Sequence, residues 1–352
     1  MQTTAWRSAA WGGLVSTLVL SGCTTLGPDF ERPEAQVEET WLDQQQPVVE
    51  AVDADYSQWW TVFNDPVLNG LIDTAYQQNL PLQVAGLRIF EARAQLAIAI
   101  GNQYPQLQQA AGALTRSRIS ENQANFNPGI DKNFWQANAG FDASWELDFW
   151  GRFRRGVESA AANMGSQLAS YDNALVSLSA EVARVYATVR TQQEGLAVAK
   201  ANAKIQQRGY EIADVRFRAG AVSELDPAQA LTQLRDTQAQ IPSLEGGIRQ
   251  SKNALSILLG MPPQDLSELL GEAPIPSPPA TVAIGMPADL LRRRPDIRQA
   301  ELQAAAQSAL IGVAESELYP SLSLVGSIGF VSRFSTSTGA APVSSVRIVI
   351  VG

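Results

Sequence analysis

The residues best suited to chemistry are three carboxylates at even-numbered positions of one stretch, Asp142, Glu146 and Asp148. A pair of carboxylates can act as the acid and base of a glycoside hydrolase when the two groups lie about 5 to 9.5 Å apart. If the stretch is a β-strand, however, the four residues from Asp142 to Glu146 span about 13 Å. A carboxylate-dependent hydrolase is therefore the least favoured of three interpretations.

Other catalytic groups are scarce. The 352 residues include no histidine and a single cysteine, Cys23. This composition excludes histidine general bases, histidine metal ligands, disulfide bonds within the chain and thiolate zinc clusters. The net charge of −9, without any lysine- or arginine-rich run, argues against a nucleic-acid partner. We expect no enzymatic activity, no metal and no cofactor other than a covalent lipid.

That lipid is predicted at Cys23, which ends a short apolar segment. Residues 1–22 read as a lipoprotein signal peptide, because their apolar part is too short to span a bilayer. The run Leu20-Ser21-Gly22-Cys23 resembles the bacterial lipobox, whose cysteine receives an N-acyl diglyceride group and becomes the mature N-terminus. The alternative is an ordinary buried cysteine. Since Thr24 is not an aspartate, the resemblance implies the outer membrane.

The stretch 135–149 alternates strictly between apolar odd positions and polar or glycine even positions. Such alternation predicts a strand with one apolar face, and the length exceeds the ~9–11 residues of a transmembrane strand. We predict a hairpin in which 106–118 is the first strand and 120–133 is a polar loop. The apolar face would meet lipid, and Asp142, Glu146 and Asp148 would face a lumen. A strand of a periplasmic β-sandwich is the alternative.

A very long helix is predicted after this strand. From Phe153 to Ala219 apolar residues recur at three- and four-residue spacing without a proline, as in a coiled coil about 100 Å long. Gly220 suits the left-handed residue that ends a helix. A partner helix is predicted from Pro227 to Gly260, with Asp226 as its N-cap. Residues 220–226 would then form the tip of a helical hairpin.

A partial repeat follows a proline-rich linker, 261–284. A shift of 215 residues aligns Tyr104-Pro105 with Tyr319-Pro320, each after an alanine-rich helix and before an alternating segment. The predicted organisation is an extended segment over 23–64, a first repeat over 65–260 with its β-hairpin at 106–150, and a partial second repeat over 285–352. In the second repeat 321–331 is predicted as a strand. Residues 346–352 lack alternation, so no return strand is predicted, and the repeat stops at Gly352.

Five motifs lie along the chain, at 23–33, 59–68, 144–152, 218–226 and 285–301, the last containing Arg292-Arg293-Arg294-Pro295-Asp296. Together they resemble the TolC-like outer membrane factors, in the NodT-type lipoprotein branch of resistance-nodulation-division (RND) efflux systems, here truncated at the C-terminus. The resemblance implies a mainly α fold with transmembrane β-strands. Long antiparallel coiled-coil helices would form a periplasmic α-barrel, and the strands would contribute to an outer-membrane β-barrel.

The resemblance also implies a function and partners. The protein would be a homotrimeric outer-membrane channel of a tripartite pump, exporting drugs and other small molecules passively. Its partners would be outer-membrane lipid, a periplasmic membrane fusion protein and an inner-membrane RND transporter. The fusion protein would dock on Gly220, Ser223, Leu225 and Asp226, although helix capping explains Ser223 and Asp226 equally well.

The incomplete second repeat qualifies this expectation. With three strands per chain and missing helices, a barrel would expose unpaired backbone to lipid at a cost of several kcal/mol per group. The chain as written is therefore not expected to form an open trimeric channel. The alternative function is a lipid-anchored periplasmic coiled-coil protein with a structural or adaptor role. That alternative leaves the alternating strands and the repeat unexplained.

Overall fold

The computed structural model describes residues 25–34, 49–50, 57–125, 127–129, 131–278, 282–283, 291–334 and 343–351. The predicted signal peptide and lipid site at Cys23 lie outside the described residues. The chain divides into two compact units. The first comprises the described residues within 1–33, 90–166 and 300–352, and the second those within 34–89 and 167–299.

Helices dominate the described chain. They are α1 (Pro66–Gln78), α2 (Leu80–Gly101), α3 (Arg152–Arg218), α4 (Leu225–Leu258), α5 (Ser267–Leu270) and α6 (Pro295–Ser316), with a 3-10 helix at Trp59–Phe63. The predicted long helix is confirmed, since α3 has 67 residues. Within the described residues, no helix combines the length and the apolar character needed to cross a membrane.

Two polar residues determine where α1 begins and where α2 follows it. The Asp65 carboxylate accepts hydrogen bonds from the amides of Val67 and Leu68, at 2.9 and 3.1 Å, and so satisfies two amides of the first turn of α1. Asn79 alone separates α1 from α2, and its side-chain oxygen accepts a bond from the Leu82 amide. Its side-chain nitrogen donates to the Leu258 carbonyl, which ties this corner to the end of α4.

The core of the second unit lies where α1, α3 and α4 meet. Val182, Tyr186 and Val189 of α3 are fully buried there against Leu71 of α1 and Leu255 of α4. The predicted apolar seam of α3 is therefore buried in its central part. At its two ends Leu168 and Phe217 are exposed, at 44% and 38% of their surface.

The first unit contains a four-stranded antiparallel sheet. In the order in which they lie side by side, its strands are β2 (Leu107–Arg118), β3 (Asn133–Leu147), β5 (Leu322–Phe334) and β6 (Val343–Val351). In the second unit two short strands, β1 (Val49–Glu50) and β4 (Val282–Ala283), pair in parallel. The predicted hairpin of the first repeat is confirmed with slightly different ends.

The prediction that the second repeat lacks a return strand is wrong. β6 pairs with β5 from Val343 opposite Arg333 to Val351 opposite Val325, so the sheet has four strands rather than three. The strand is not predicted by alternation, because its run of apolar residues does not alternate strictly with polar ones. The register nevertheless pairs Ile348 with Ile328, within the apolar row of β5.

Candidate functional site

The apolar face of the sheet is open to its surroundings. The register pairs Phe141 of β3 with Ile328 of β5, and Ala139 with Phe330, so these residues share one face. Phe141, Ile328 and Phe330 are 45%, 53% and 51% exposed. An apolar sheet face of this extent needs a cover that the described chain does not supply.

The opposite face presents the predicted lumen residues Asp142 and Glu146. Asp142 is exposed and pairs in register with Ser327 and Gln109. Glu146 is partly covered, and its carboxylate lies 3.4 Å from the Arg152 guanidinium. Within the described residues, no group of three or more acidic, cysteine or histidine side chains could hold a metal ion. Along β3 this face is polar and acidic.

Asp148, the third predicted lumen residue, is not part of the strand. β3 ends at Leu147, and the Asp148 carboxylate turns to the start of α3. It accepts hydrogen bonds from the amides of Phe153 and Arg154, at 3.1 and 2.9 Å, and pairs with the Arg154 guanidinium at 3.2 Å. The prediction that it continues the alternating strand is wrong, because the unpaired amides of a helix start recruit the nearest carboxylate.

The hairpin tip, residues 220–226, is an exposed and tightly bonded turn. Gly220 has φ +72°, the left-handed conformation, and its amide donates to Phe217 while the Ala221 amide donates to Arg216. These two bonds make a Schellman motif that satisfies the last carbonyls of α3. Leu225 is 62% exposed. An apolar side chain held outward on a rigid turn is suited to contact a partner.

The predicted N-cap role of Asp226 is wrong in detail. α4 begins at Leu225 with Glu224 in the N-cap position, so Asp226 lies in the first turn. Its carboxylate reaches back and accepts hydrogen bonds from the Ser223 amide and hydroxyl, at 3.1 and 3.0 Å. Ser223 and Asp226 therefore hold the tip together, and neither group points to a catalytic role.

The sequence did not predict that residues of the first unit bind the N-terminal segment, residues 25–32. The buried Arg155 donates to the carbonyls of Leu26 and Gly27, at 2.9 and 2.8 Å, and pairs with Asp29 at 2.9 Å. A Cβ on Gly312 would lie 2.4 Å from the Leu26 carbonyl oxygen, so only glycine admits the segment there. No local pattern marks these residues, because the contacts span more than a hundred positions.

Backbone hydrogen bonds and the charge of Arg155 also hold this N-terminal segment. The Leu26 amide donates to the Trp150 carbonyl at 3.1 Å, and Gly151, at φ +79°, lies against Thr25. Carboxylates at Glu158, most strongly, and at Asp29 raise the pKa of the Arg155 guanidinium, although burial lowers it. Arg155 therefore stays charged and holds the chain a few residues after Cys23.

A second buried cluster, in the other unit, joins α3 to the cap of α1. The Tyr186 hydroxyl donates to the Asp65 carboxylate at 2.6 Å, and the Arg190 guanidinium lies 4.9 Å from the Tyr186 ring centre. Arg190 is fully buried and donates to the carbonyls of Leu270 and Gly271. Burial, and then the bond to Asp65, raises the pKa of Tyr186 to about 12. The cluster is structural rather than reactive.

Comparison with known proteins identifies this arrangement of long helices and strands. Residues 71–261, more than half of the chain, match the sequence pattern of outer membrane efflux proteins. The chain belongs to the outer membrane efflux protein family. This family consists of outer membrane channels and not of enzymes.

Individual members of the family extend the match. The chain is 35% identical to Nodulation protein T of Rhizobium leguminosarum bv. trifolii over 316 residues, which are 89% of this chain and 65% of that protein. It is 30% identical to the probable outer membrane lipoprotein SilC of Salmonella typhimurium, over 89% of this chain and 67% of SilC. The structure of the outer-membrane channel OprN superposes with a TM-score of 0.78 at 30% identity, over 93% of this chain and 72% of OprN. The chain thus spans about two thirds of the length of these relatives.

Proposed function

We propose that this chain is the outer-membrane channel component of a tripartite efflux pump, through which drugs and other small molecules leave passively. The observation that carries the proposal is the sheet, with an exposed apolar face on one side and Asp142 and Glu146 on the other. Such a sheet suits a wall between lipid and water, because each face meets the solvent that matches it. Family membership supports the same role.

The lipid anchor and the assembly are parts of this proposal. An N-acyl diglyceride group on Cys23 would hold the N-terminus in the outer membrane, with the helices projecting into the periplasm. Three copies of the four-stranded sheet would supply twelve strands, an even number as in single-chain bacterial barrels. This count removes the shortage of strands on which the expectation of an unclosed barrel rested. The exposed apolar side chains of the sheet face would then meet lipid.

Partner docking is proposed at the hairpin tip. A periplasmic membrane fusion protein, linked to an inner-membrane RND transporter, would contact Leu225 and the turn at Gly220. Ser223 and Asp226 would act by keeping the turn rigid, since their side chains bond to each other. The exposed position of all four residues supports this assignment.

Cysteine accessibility on β3 tests the assignment of the two faces. The single native cysteine, Cys23, would be acylated and unreactive, so introduced cysteines report alone. In outer membranes, Asn138→Cys and Ser144→Cys should react with a charged maleimide, whereas Ala139→Cys and Ala143→Cys should be protected by lipid. Each reactive position has a neighbour of opposite face as its matched control.

The alternative function gives a different result. A lipid-anchored periplasmic coiled-coil adaptor would leave the sheet in water, so both sets of cysteines would react at similar rates. Such an adaptor would migrate on gels to the same position before and after heating. A closed membrane sheet would stay folded until heated, so its position on the gel would change. Equal labelling of the two faces would therefore refute the channel proposal.

A further inference from the structure

Two arginines lie at the end of the sheet away from the helices. β2 ends at Arg118 and β3 begins at Asn133, while α2, α3 and α6 all join the sheet at its other end. The register pairs Arg116 with Trp135 and Arg118 with Asn133. Both arginines therefore occupy the face of β3 that is apolar, and both are exposed.

The aromatic partner of Arg116 has a counterpart at the other end of the strand. The Arg116 guanidinium lies 5.7 Å from the Trp135 ring centre, a cation–π distance. Ten residues later on the same face stands Trp145, whose indole donates to the Gln103 carbonyl. Ten residues of strand measure about 34 Å, or ~24 Å across a membrane at a tilt of about 45°.

The ~24 Å between the two tryptophans, measured across the membrane, matches the ~25 Å apolar band of transmembrane sheets, which aromatic residues flank on both sides. Between the two tryptophans, the register positions of this face on β2, β3 and β5 include no charged residue. They are Gln108, Ala110, Gly112, Leu114, Ala137, Ala139, Phe141, Ala143, Gly326, Ile328, Phe330 and Ser332. On these three strands, charge returns to the face at Arg116, level with Trp135, and at Arg118 beyond it.

We propose that Arg116 and Arg118 bind phosphate groups of a phosphorylated glycolipid in the outer leaflet, with Trp135 at its headgroup boundary. The guanidinium fork suits phosphate oxygens, and the chain as a whole, at −9, would otherwise repel an anionic lipid. This inference rests on the proposed function, because the sheet must span the outer membrane for the site to reach that leaflet.

Arg333 provides a matched control at the same end. It pairs in register with Gln136, and its guanidinium lies 3.9 Å from the ring centre of Phe134, so it belongs to the polar face. An Arg333→Gln variant removes one charge from the same end of the sheet without touching the lipid-facing side. The pair of variants therefore separates a site from a general effect of charge.

The experiment measures binding of bisphosphorylated lipid A and of dephosphorylated lipid A to the full chain in neutral detergent micelles. The Arg116→Gln/Arg118→Gln variant should bind the phosphorylated form about 10- to 30-fold more weakly, at about one decade or less per arginine near a lipid surface. Its affinity for the dephosphorylated form should not change. Arg333→Gln should behave like the wild type. Arg116→Lys/Arg118→Lys should bind the phosphorylated form with an affinity between those of the wild type and the glutamine variant, because lysine keeps the charge without the guanidinium fork.

Two results would overturn the proposal. One is a wild-type protein that binds both forms equally, and the other is a loss in Arg333→Gln that equals, per charge removed, the loss in Arg116→Gln/Arg118→Gln. Either can occur while the cysteine labelling of β3 still shows a lipid face and a water face. Conversely, equal labelling of both faces would remove the channel proposal itself, so the two failures are distinguishable.

Discussion

Replacement of Asp148 by alanine tests whether this carboxylate belongs to the sheet or to the helix. The variant loses the acceptor for two amides in the first turn of α3 and the ion pair with Arg154. A helix cap contributes about 0.5 to 2 kcal/mol, and a partly exposed ion pair up to about 1 kcal/mol. We expect Asp148→Ala to lower the free energy of unfolding by about 1 to 3 kcal/mol. Asp148→Asn should lose less, because asparagine is also a good cap.

Denaturant unfolding in detergent, followed by circular dichroism, measures the global loss. Hydrogen exchange at the amides of Phe153 and Arg154 measures the local loss, and it should accelerate in Asp148→Ala. Asp142→Ala is the matched control, since Asp142 is exposed in the middle of β3 and caps nothing. If both alanine variants behaved alike, the capping role of Asp148 would be refuted.

Three further predictions concern conformation, titration and the N-terminal segment. Gly220→Ala should lower the free energy of unfolding by about 1 to 2 kcal/mol, because alanine disfavours the left-handed φ of +72°. Gly260→Ala also places a Cβ 2.2 Å from the last carbonyl oxygen of α1, so its loss in denaturant unfolding should be larger. The Tyr186 phenol, with its pKa raised from 10.0 to about 12, should ionise at 295 nm well above the pH at which an ordinary tyrosine ionises. Its contribution to stability is present below pH 10 and lost as pH rises toward 12, and this loss should vanish in Tyr186→Phe. Gly312→Ala should speed hydrogen exchange in residues 25–32 at least about tenfold, because a tenfold change requires a loss of only ~1.4 kcal/mol in local stability. Gly156→Ala, which has open space around its Cβ, should leave this exchange unchanged.

The long elements were predictable because their periodicity is local. The spacing of apolar residues predicted α3 within one residue at each end, and strict alternation predicted β3 within two. In both cases the pattern reports which face a residue occupies, and this depends only on near neighbours. Gly220 was predictable for a similar reason, since a helix that ends in a tight turn needs a left-handed residue.

The sequence-based predictions were wrong where contacts with a distant or adjacent segment outweighed the local pattern of residues. Asp148 continues the alternating pattern of β3 in the sequence. In the structure its carboxylate instead accepts hydrogen bonds from the free amides at the start of α3, and these bonds are favoured over a position in the strand. β6 lacked alternation, yet its backbone pairs with β5 over nine residues. Arg155 and Gly312 were missed because their partner, the segment at 25–32, is remote in sequence. Such contacts leave no periodic trace.

The motif at 144–152 gains a physical explanation from the structure. Trp145 donates to the Gln103 carbonyl and Trp150 to the Pro320 carbonyl, so the two indoles bind the chain at the start of β2 and of β5. Arg152 lies between Glu146 and Glu317, at 3.4 and 3.7 Å. One short segment thus joins the helix-to-strand connections of both repeats to the start of α3. A change from strand to helix at this point requires caps and ion pairs rather than apolar burial, and this requirement accounts for the dense charge and aromatic content of the motif.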